Sequence, residues 1–325
     1  MNVLFILGNG FDKAQGLATS YPEFYNAYKK IQPDSELEAR LQREIQSDYE
    51  TWADLEEGLG KYSAQFTDVN EFREVLQILN SRLKDYLKSQ TLRTDTLGLS
   101  RQKLINNLIN PDAGLEPKQR ADYNSFYNSI NPAHVYVDCV TFNYTDTFET
   151  VFDKKETFLG HIGSNKLPVY LKEFLHIHGS LENMILVGVN DISQIANESF
   201  RENAELREEF VKPEINNGCE NMMNETFRQL INDAHLIVMF GVSVGITDSS
   251  WWQAIGKRLD RDDNLRLIYY PYDVFKDTEK YPYRKLRWSR DYISFLKDRM
   301  GIQASVDDLR YRVYIGINKP FLKLV

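Results

Sequence analysis

The sequence predicts an α/β protein: a mainly parallel sheet with helices on both faces, interrupted by a large helical insertion. Short β-rich runs alternate with longer helical patterns, the order that builds parallel sheets through helical crossovers. Most of these runs are nearly continuously apolar, as expected of strands covered on both faces. Two of them end in glycine-rich turns that lead into helices, at the edge where open α/β sheets bind ligands.

The first strand spans 3–7 and runs into LGNGFDKAQG, residues 7–16. Gly8-Asn9-Gly10 lets the backbone approach a ligand closely or adopt positive φ, and a helix starting near Phe11 would aim free N–H groups at an anion. A structural turn explains the stretch equally well. The fingerprint G-x-G-x-x-G fails at its sixth position, Lys13, and the next glycine is Gly16. Asp12 would repel a phosphate if it pointed inward, and suits a ribose-hydroxyl acceptor or a helix cap.

About 125 residues without a convincing strand follow. Helical periodicity over 36–61, 69–92 and 101–109, with a turn-rich break at 112–117, marks a helical insertion or subdomain on the sheet. The expected division is therefore 1–30 with 131–325 as the core and 31–130 as the insertion. A second strand, 134–142, leads into Thr141-Phe142-Asn143-Tyr144-Thr145-Asp146. Asn143 at a strand's carboxyl end would orient a water or a substrate carboxamide in the crevice, or would simply close an Asx turn.

LHIHGS, 175–180, places His176 and His178 on one face of an extended segment. Such a pair suggests metal, yet no third ligand is evident nearby. The Gly-Ser that follows suits a site lip, with the histidine as base or as structural residue. A strand is expected at 184–189, and the polar stretch 190–218 forms either a mobile cover or a plain surface connection. The strand 235–240 enters a second glycine junction, GVSVGITDSSWW at 241–252, where Asp248-Ser249-Ser250 can cap a helix from Trp251. Ser243 can hydrogen-bond a phosphate or a ribose. A G-x-S-x-G nucleophile elbow needs an acid and then a histidine downstream, and the last histidine is His235, so on that fold a binding serine is the better-supported reading. Trp251 and Trp252 pack in the core or stack on a ring. A strand at 265–270, a helix at 285–300 stopped by Gly301 and a strand at 311–315 complete the order.

Composition narrows the function. With 325 residues the chain has material for one large domain or two smaller ones. A net charge of −8 opposes a duplex-binding surface, so a nucleic-acid partner is not expected. Two cysteines, Cys139 and Cys219, are too few for a disulfide scaffold and lack metal-ligand spacing; Cys139 reads as a buried thiol. The apolar N-terminal run is short and has no basic lead, and no run approaches the ~18 apolar residues of a membrane span. The expectation is a reduced, cytoplasmic, soluble protein with no membrane contact.

GNGFD at 8–12, GLATSYPEF at 16–24, TFNYT at 141–145, HIHGS at 176–180 and GVSVGITDSSWW at 241–252 resemble the AbiH family of bacterial phage abortive-infection proteins, over residues 4–270. The same positions look like a remote version of the sirtuin NAD-binding core, which implies a Rossmann-like, sirtuin/DHS-like fold. Gly8-Asn9-Gly10-Phe11 and Gly16-Leu17 have the spacing of the sirtuin glycine loop. Phe142-Asn143-Tyr144 resembles the Q-N-x-D motif, His178-Gly179-Ser180 the H-G of the catalytic base, and Gly241-Val242-Ser243 the G-x-S turn. Asp12 replaces the sirtuin serine, Ala18-Thr19-Ser20 lacks the Pro-Asp-Phe-Arg run, and the four-cysteine zinc module is impossible with two cysteines. These departures speak against protein deacylation.

The resemblance implies that NAD is the substrate and that no metal is needed. Asn143 would position water and carboxamide, and His178 would accept a proton from water or a ribose hydroxyl. Gly8, Asn9, Gly10, Phe11, Asp12, Gly16, Gly241, Ser243 and Asp248 would bind the dinucleotide, with Asp248 on the adenine ribose or capping its helix. The runner-up is a non-catalytic module that senses a nucleotide or phage-derived ligand and signals through the insertion to a partner. Because constant NAD consumption would kill the host, control by a phage-derived trigger or by homo-oligomerisation is expected.

Overall fold

The computed structural model describes residues 1–90, 97–152, 157–218, 222–272, 281–317 and 321–324. Among them a seven-stranded sheet is built from β1 (Asn2–Leu7), β2 (Val135–Thr141), β3 (Phe158–Ile162), β4 (Leu167–His176), β5 (Leu236–Phe240), β6 (Arg266–Tyr270) and β7 (Val313–Ile315), in the order β3-β4-β2-β1-β5-β6-β7. Every pairing is parallel except β3 with β4. The chain thus builds outward on one side of β1 and then returns to build outward on the other.

β1 shows why the central strands are apolar throughout. Val3, Phe5 and Leu7 join a core on one face with Leu104, Leu108, Tyr123 and Phe126, from α6 (Leu97–Ile109) and α7 (Pro117–Ile130). Leu4 and Ile6 join a core on the other face with Phe227, Trp252, Ile255 and Leu296. These come from α12 (Met223–Asp233), α13 (Ser249–Arg261) and α14 (Lys285–Met300). A strand with two buried faces has no position left for a polar alternation. Cys139 sits in this interior, and burial pushes its thiol up; Cys219 lies outside the described residues.

Between β1 and β2 the described residues form no strand. After α1 (Gly10–Ala14) come α2 (Tyr21–Tyr28), α3 (Glu36–Ser47), α4 (Leu55–Tyr62) and α5 (Val69–Lys88). The expected continuous helix at 36–61 is split because Asp54 caps α4, accepting from the Glu56 and Glu57 N–H groups. Residues 91–92 of the expected 69–92 helix lie outside the described residues.

These helices bury Phe24, Leu41, Leu59, Phe72 and Leu79 in a third core, together with Val187, Val189, Phe200, Leu206 and Phe210. The stretch 190–218 is therefore no loose connection. It forms α9 (Glu198–Arg201), α10 (Ala204–Phe210) and α11 (Lys212–Gly218) and docks on α4 and α5. Its apolar residues are spaced by short helices, so they do not announce themselves in a charge-rich sequence.

Two strand expectations need correction. Residues 184–189 form no strand: Ile185, Val187 and Val189 turn into the third core, and only isolated bridges, Gly179–Ile185 and Val189–Val211, remain. β3 and β4 were not expected. β4 carries Lys172 and Glu173 and lies next to the edge, so it is amphipathic and not continuously apolar.

Candidate functional site

The carboxyl ends of β4, β2, β1 and β5, which are adjacent, open into one cavity of about 180 Å³. That is far above the ~10–15 Å³ needed by one water. Strand ends supply Gly8, Asn9, Asp12, Asn143, Thr145, His178, Gly241, Ser243 and Asp248, while the helical layer supplies Thr19, Tyr21, Asp54, Glu56, Leu83 and Leu87. The structure thus brings together both expected catalytic residues and most of the expected binding residues. It leaves out three. Phe11 is buried in the core beside Phe148, Gly16 is an exposed turn residue at φ 83°, and Gly10 is covered by the neighbouring junction.

The glycines explain each other. The Gly8 N–H donates to the Phe240 carbonyl and the Gly10 N–H to the Gly241 carbonyl, each at 3.0 Å. A Cβ at Gly8 or Gly10 would run into the Gly241 backbone. Gly241 itself has φ 63°, the left-handed region that favours glycine. The Phe11 N–H goes to the Gly8 carbonyl and the Lys13 N–H to the Asn9 carbonyl. The N–H groups of Gly8, Gly10, Phe11 and Lys13 are thus engaged within the protein, and close packing of two loops is what their sequence encodes.

Asn143 fastens this floor. The Phe142 N–H donates to the Leu7 carbonyl at 2.9 Å, and the Asn143 N–H to the Thr141 hydroxyl at 3.1 Å. Its side-chain amide then donates to the Gly8 carbonyl at 3.1 Å. Thr19 donates to the Asn9 side-chain oxygen at 2.5 Å. Asp12, inside α1 and behind its cap residue Asn9, accepts from the Thr145 hydroxyl at 2.6 Å. Burial pushes its carboxyl up to about 6, against the pull of Thr145, Thr147, Asn143 and Thr19.

The two histidines separate. The His176 ring is fixed between the Asn143 carbonyl at 2.9 Å and the Glu149 carboxylate at 2.8 Å. His178 follows β4 in a tight turn through Gly179 (φ 77°) and lines the cavity. Its Nε2 lies 3.0 Å from Asp248 Oδ1, without the alignment of a full hydrogen bond. Burial and the Lys212 charge lower its pKa, and Asp248 opposes them. Among the described residues no group of His, Cys, Asp and Glu is arranged to hold a metal ion.

Asp248 is held by a residue that the sequence reading did not find. Lys212 Nζ donates to Glu56 Oε2 at 2.7 Å and to Asp248 Oδ1 at 3.1 Å. A two-way bridge sets its place: the Val189 N–H reaches the Phe210 carbonyl and the Lys212 N–H reaches the Val189 carbonyl. Burial pulls the Lys212 ammonium down, but Asp248 and Glu56 outweigh it and hold it up at about 12. Asp248 falls well below the usual carboxylate range because Lys212 and His178 outweigh its burial. Glu56 is raised, burial outweighing Lys212. Asp248 makes no side-chain cap bond to α13, so the capping role expected of it is replaced by this clamp. Trp251 and Trp252 are core residues; Trp252 also reaches the cavity wall and donates to the Gly245 carbonyl.

Ser243 is exposed at the mouth, and Val244 beside it holds φ 53°, a conformation that a β-branched residue adopts only under strain. No helix among the described residues is long and apolar enough to cross a membrane. A model of the family described as bacteriophage abortive infection AbiH matches residues 4–270. No curated protein matches the chain.

Proposed function

The chain belongs to the AbiH family of bacteriophage abortive infection proteins, and from that premise we propose that its cavity binds NAD or a close relative and cleaves the glycosidic bond to nicotinamide. One observation carries the reading. Asn143 and His178 meet at adjacent strand ends in a cavity that also holds Asp12 and Asp248. With β3 set aside, the strand order is that of the doubly wound, Rossmann-like dinucleotide folds, which bind ligands at this edge. A sirtuin-like core is the specific form that this reading takes.

Departure of nicotinamide leaves an oxocarbenium-like ribose, and carboxylates stabilise such developing positive charge. Asn143, fixed by its bond to the Gly8 carbonyl, orients the substrate. Burial and Lys212 keep His178 neutral near pH 7. Asp248 beside Nε2 favours the tautomer that leaves Nδ1 to accept a proton from a ribose hydroxyl. Since the Gly8, Gly10, Phe11 and Lys13 N–H groups are engaged internally, the pyrophosphate is assigned to the mouth near Ser243 and not to the start of α1.

The test is nicotinamide release from NAD by the purified protein. Wild-type release that falls at least ~100-fold in Asn143→Ala and His178→Ala supports the reading; undiminished release in both variants removes these residues from it. A second reading has its own observation: Asp54, Glu56 and Lys212 tie the helical layer to the cavity wall. A sensing module would use that tie, and ligand-induced thermal stabilisation without product would favour it.

A further inference from the structure

This inference rests on the glycosidic reading and concerns a group whose chemistry that reading leaves unassigned. Asp12 is 1% exposed and lines the cavity. Its Oδ2 is taken by the Thr145 hydroxyl, while Oδ1 is buried without a hydrogen-bond partner among the described residues. Buried carboxylate oxygens are costly to leave without donors. Asp54 in the same cavity shows the structural alternative: its Oδ1 takes the Glu56 and Glu57 N–H groups and its Oδ2 takes the Thr247 hydroxyl. Around Asp12 stand Thr19 after α1, Asn143 after β2, Thr145, and Thr147 at the start of α8 (Thr147–Val151). These are hydroxyls and an amide, and after burial they are the main influences on it. Among the described residues nothing bonds the second oxygen.

We propose that Asp12 is a catalytic carboxylate of this cavity, whose Oδ1 accepts the proton of the water that replaces the base at the anomeric carbon of an N-ribosyl substrate. The C–N bond breaks with its electron pair going to the ring nitrogen of nicotinamide, which leaves neutral. The water oxygen bonds to the anomeric carbon, and its proton passes to Asp12 and then to solvent. The same negative charge attracts the cationic nicotinamide-ribosyl end before cleavage. The lining among the described residues contains no lysine or arginine, so the cavity favours that cationic end over a pyrophosphate. His178 is left to the ribose hydroxyl.

The experiment compares wild type with Asp12→Asn, which keeps an oxygen for Thr145. Nicotinamide release is followed across pH, alongside binding of nicotinamide riboside, a probe without pyrophosphate. Wild-type kcat is expected to rise as pH passes about 6, where Asp12 ionises. Asp12→Asn is expected to lose roughly 10²–10⁴-fold in kcat, together with that limb. Riboside binding is expected to strengthen above the same pH in wild type and to be flat in the variant. An Asp12→Asn protein within about threefold of wild type, with its acid limb intact, overturns the role of Asp12 alone. A wild type that releases no nicotinamide overturns the glycosidic reading and this step with it.

Discussion

The two strand–glycine–helix junctions, at 8–12 after β1 and at 241–248 after β5, carry similar sequence signatures but present opposite electrostatics to the cavity. Gly8, Gly10 and Gly241 serve one purpose, the close approach of the two backbones. The carboxylates of the two junctions diverge. Asp248 is clamped by Lys212 and stays ionised, whereas Asp12 is pushed up by burial against hydroxyl and amide neighbours. The strand ends therefore fix the shape of the site, while its charge depends on where the helical layer delivers a cation. That layer reaches the second junction and leaves the first without one.

The contrast breaks most visibly at Lys212. Lys212→Met leaves the buried Glu56 and the half-buried Asp248 without their shared partner. Removing one member of a buried ionic group costs about 3–5 kcal/mol. Chemical denaturation at pH 7 followed by circular dichroism should show that loss, and Glu56→Gln added to Lys212→Met should recover part of it. A loss below about 1 kcal/mol would mean that the second junction does not depend on the clamp.

Asp12 should respond in the opposite direction. Its folded-state pKa is raised to about 6 from an ordinary value of 3.8, so the folded protein binds the proton more tightly than the unfolded chain. The resulting stability is fully present below about pH 4 and is lost as pH rises through about 6. Asp12→Asn removes the burden of an ionised, buried carboxylate. It should stabilise the protein at pH 7 by roughly 2–3 kcal/mol, with the gain shrinking to near zero at about pH 4. A variant that is more stable yet impaired in turnover separates a chemical role from a structural one. Equal stability at both pH values would sink this account of Asp12.

How much of this was legible in the sequence follows from burial. β1, β2, β5, β6 and β7 are covered on both faces, so their apolar runs stand out. β4 lies next to the edge and its Lys172-Glu173 pair interrupts the run, and the short β3 outside it is no more apolar. Asn143, Asp12 and Ser243 were found because each follows a visible strand, and His178 because its own His-Gly-Ser stretch is legible without β4. Glu56 and Lys212 were missed because a charged residue in a helical, charge-rich stretch reads as solvated surface. Glu57, one residue on, is such a case, paired with Lys61 on the outside. One faint signal existed. Glu56, Gly60 and Ser63 recur at helical spacing beside the apolar stripe Leu55, Leu59, Tyr62, a small and polar stripe on the buried side of α4. Gly60 lets the Gln194 backbone close in, and the Asn197 N–H donates to the Ser63 hydroxyl. This is how residues 190–218 bring Lys212 into place.

The smallest effect separates the sequence reading of the first junction from its structure. The spacing of Gly8, Gly10 and Gly16 resembles a ligand loop, which would make Gly16 part of binding. In the fold, Gly10 is pressed against the Gly241 Cα and the Tyr272 Cβ, while nothing lies within 4 Å of a Cβ built on Gly16. Gly10→Ala should cost about 1–3 kcal/mol, because a backbone neighbour cannot yield as a side chain can. It should also weaken ligand-induced thermal stabilisation, since the two junctions must separate. Gly16→Ala pays only the left-handed strain at φ 83°, about 1 kcal/mol, and should leave ligand stabilisation unchanged. The reverse order, with Gly16→Ala abolishing ligand stabilisation and Gly10→Ala sparing it, would restore the ligand loop and assign the first junction to phosphate after all.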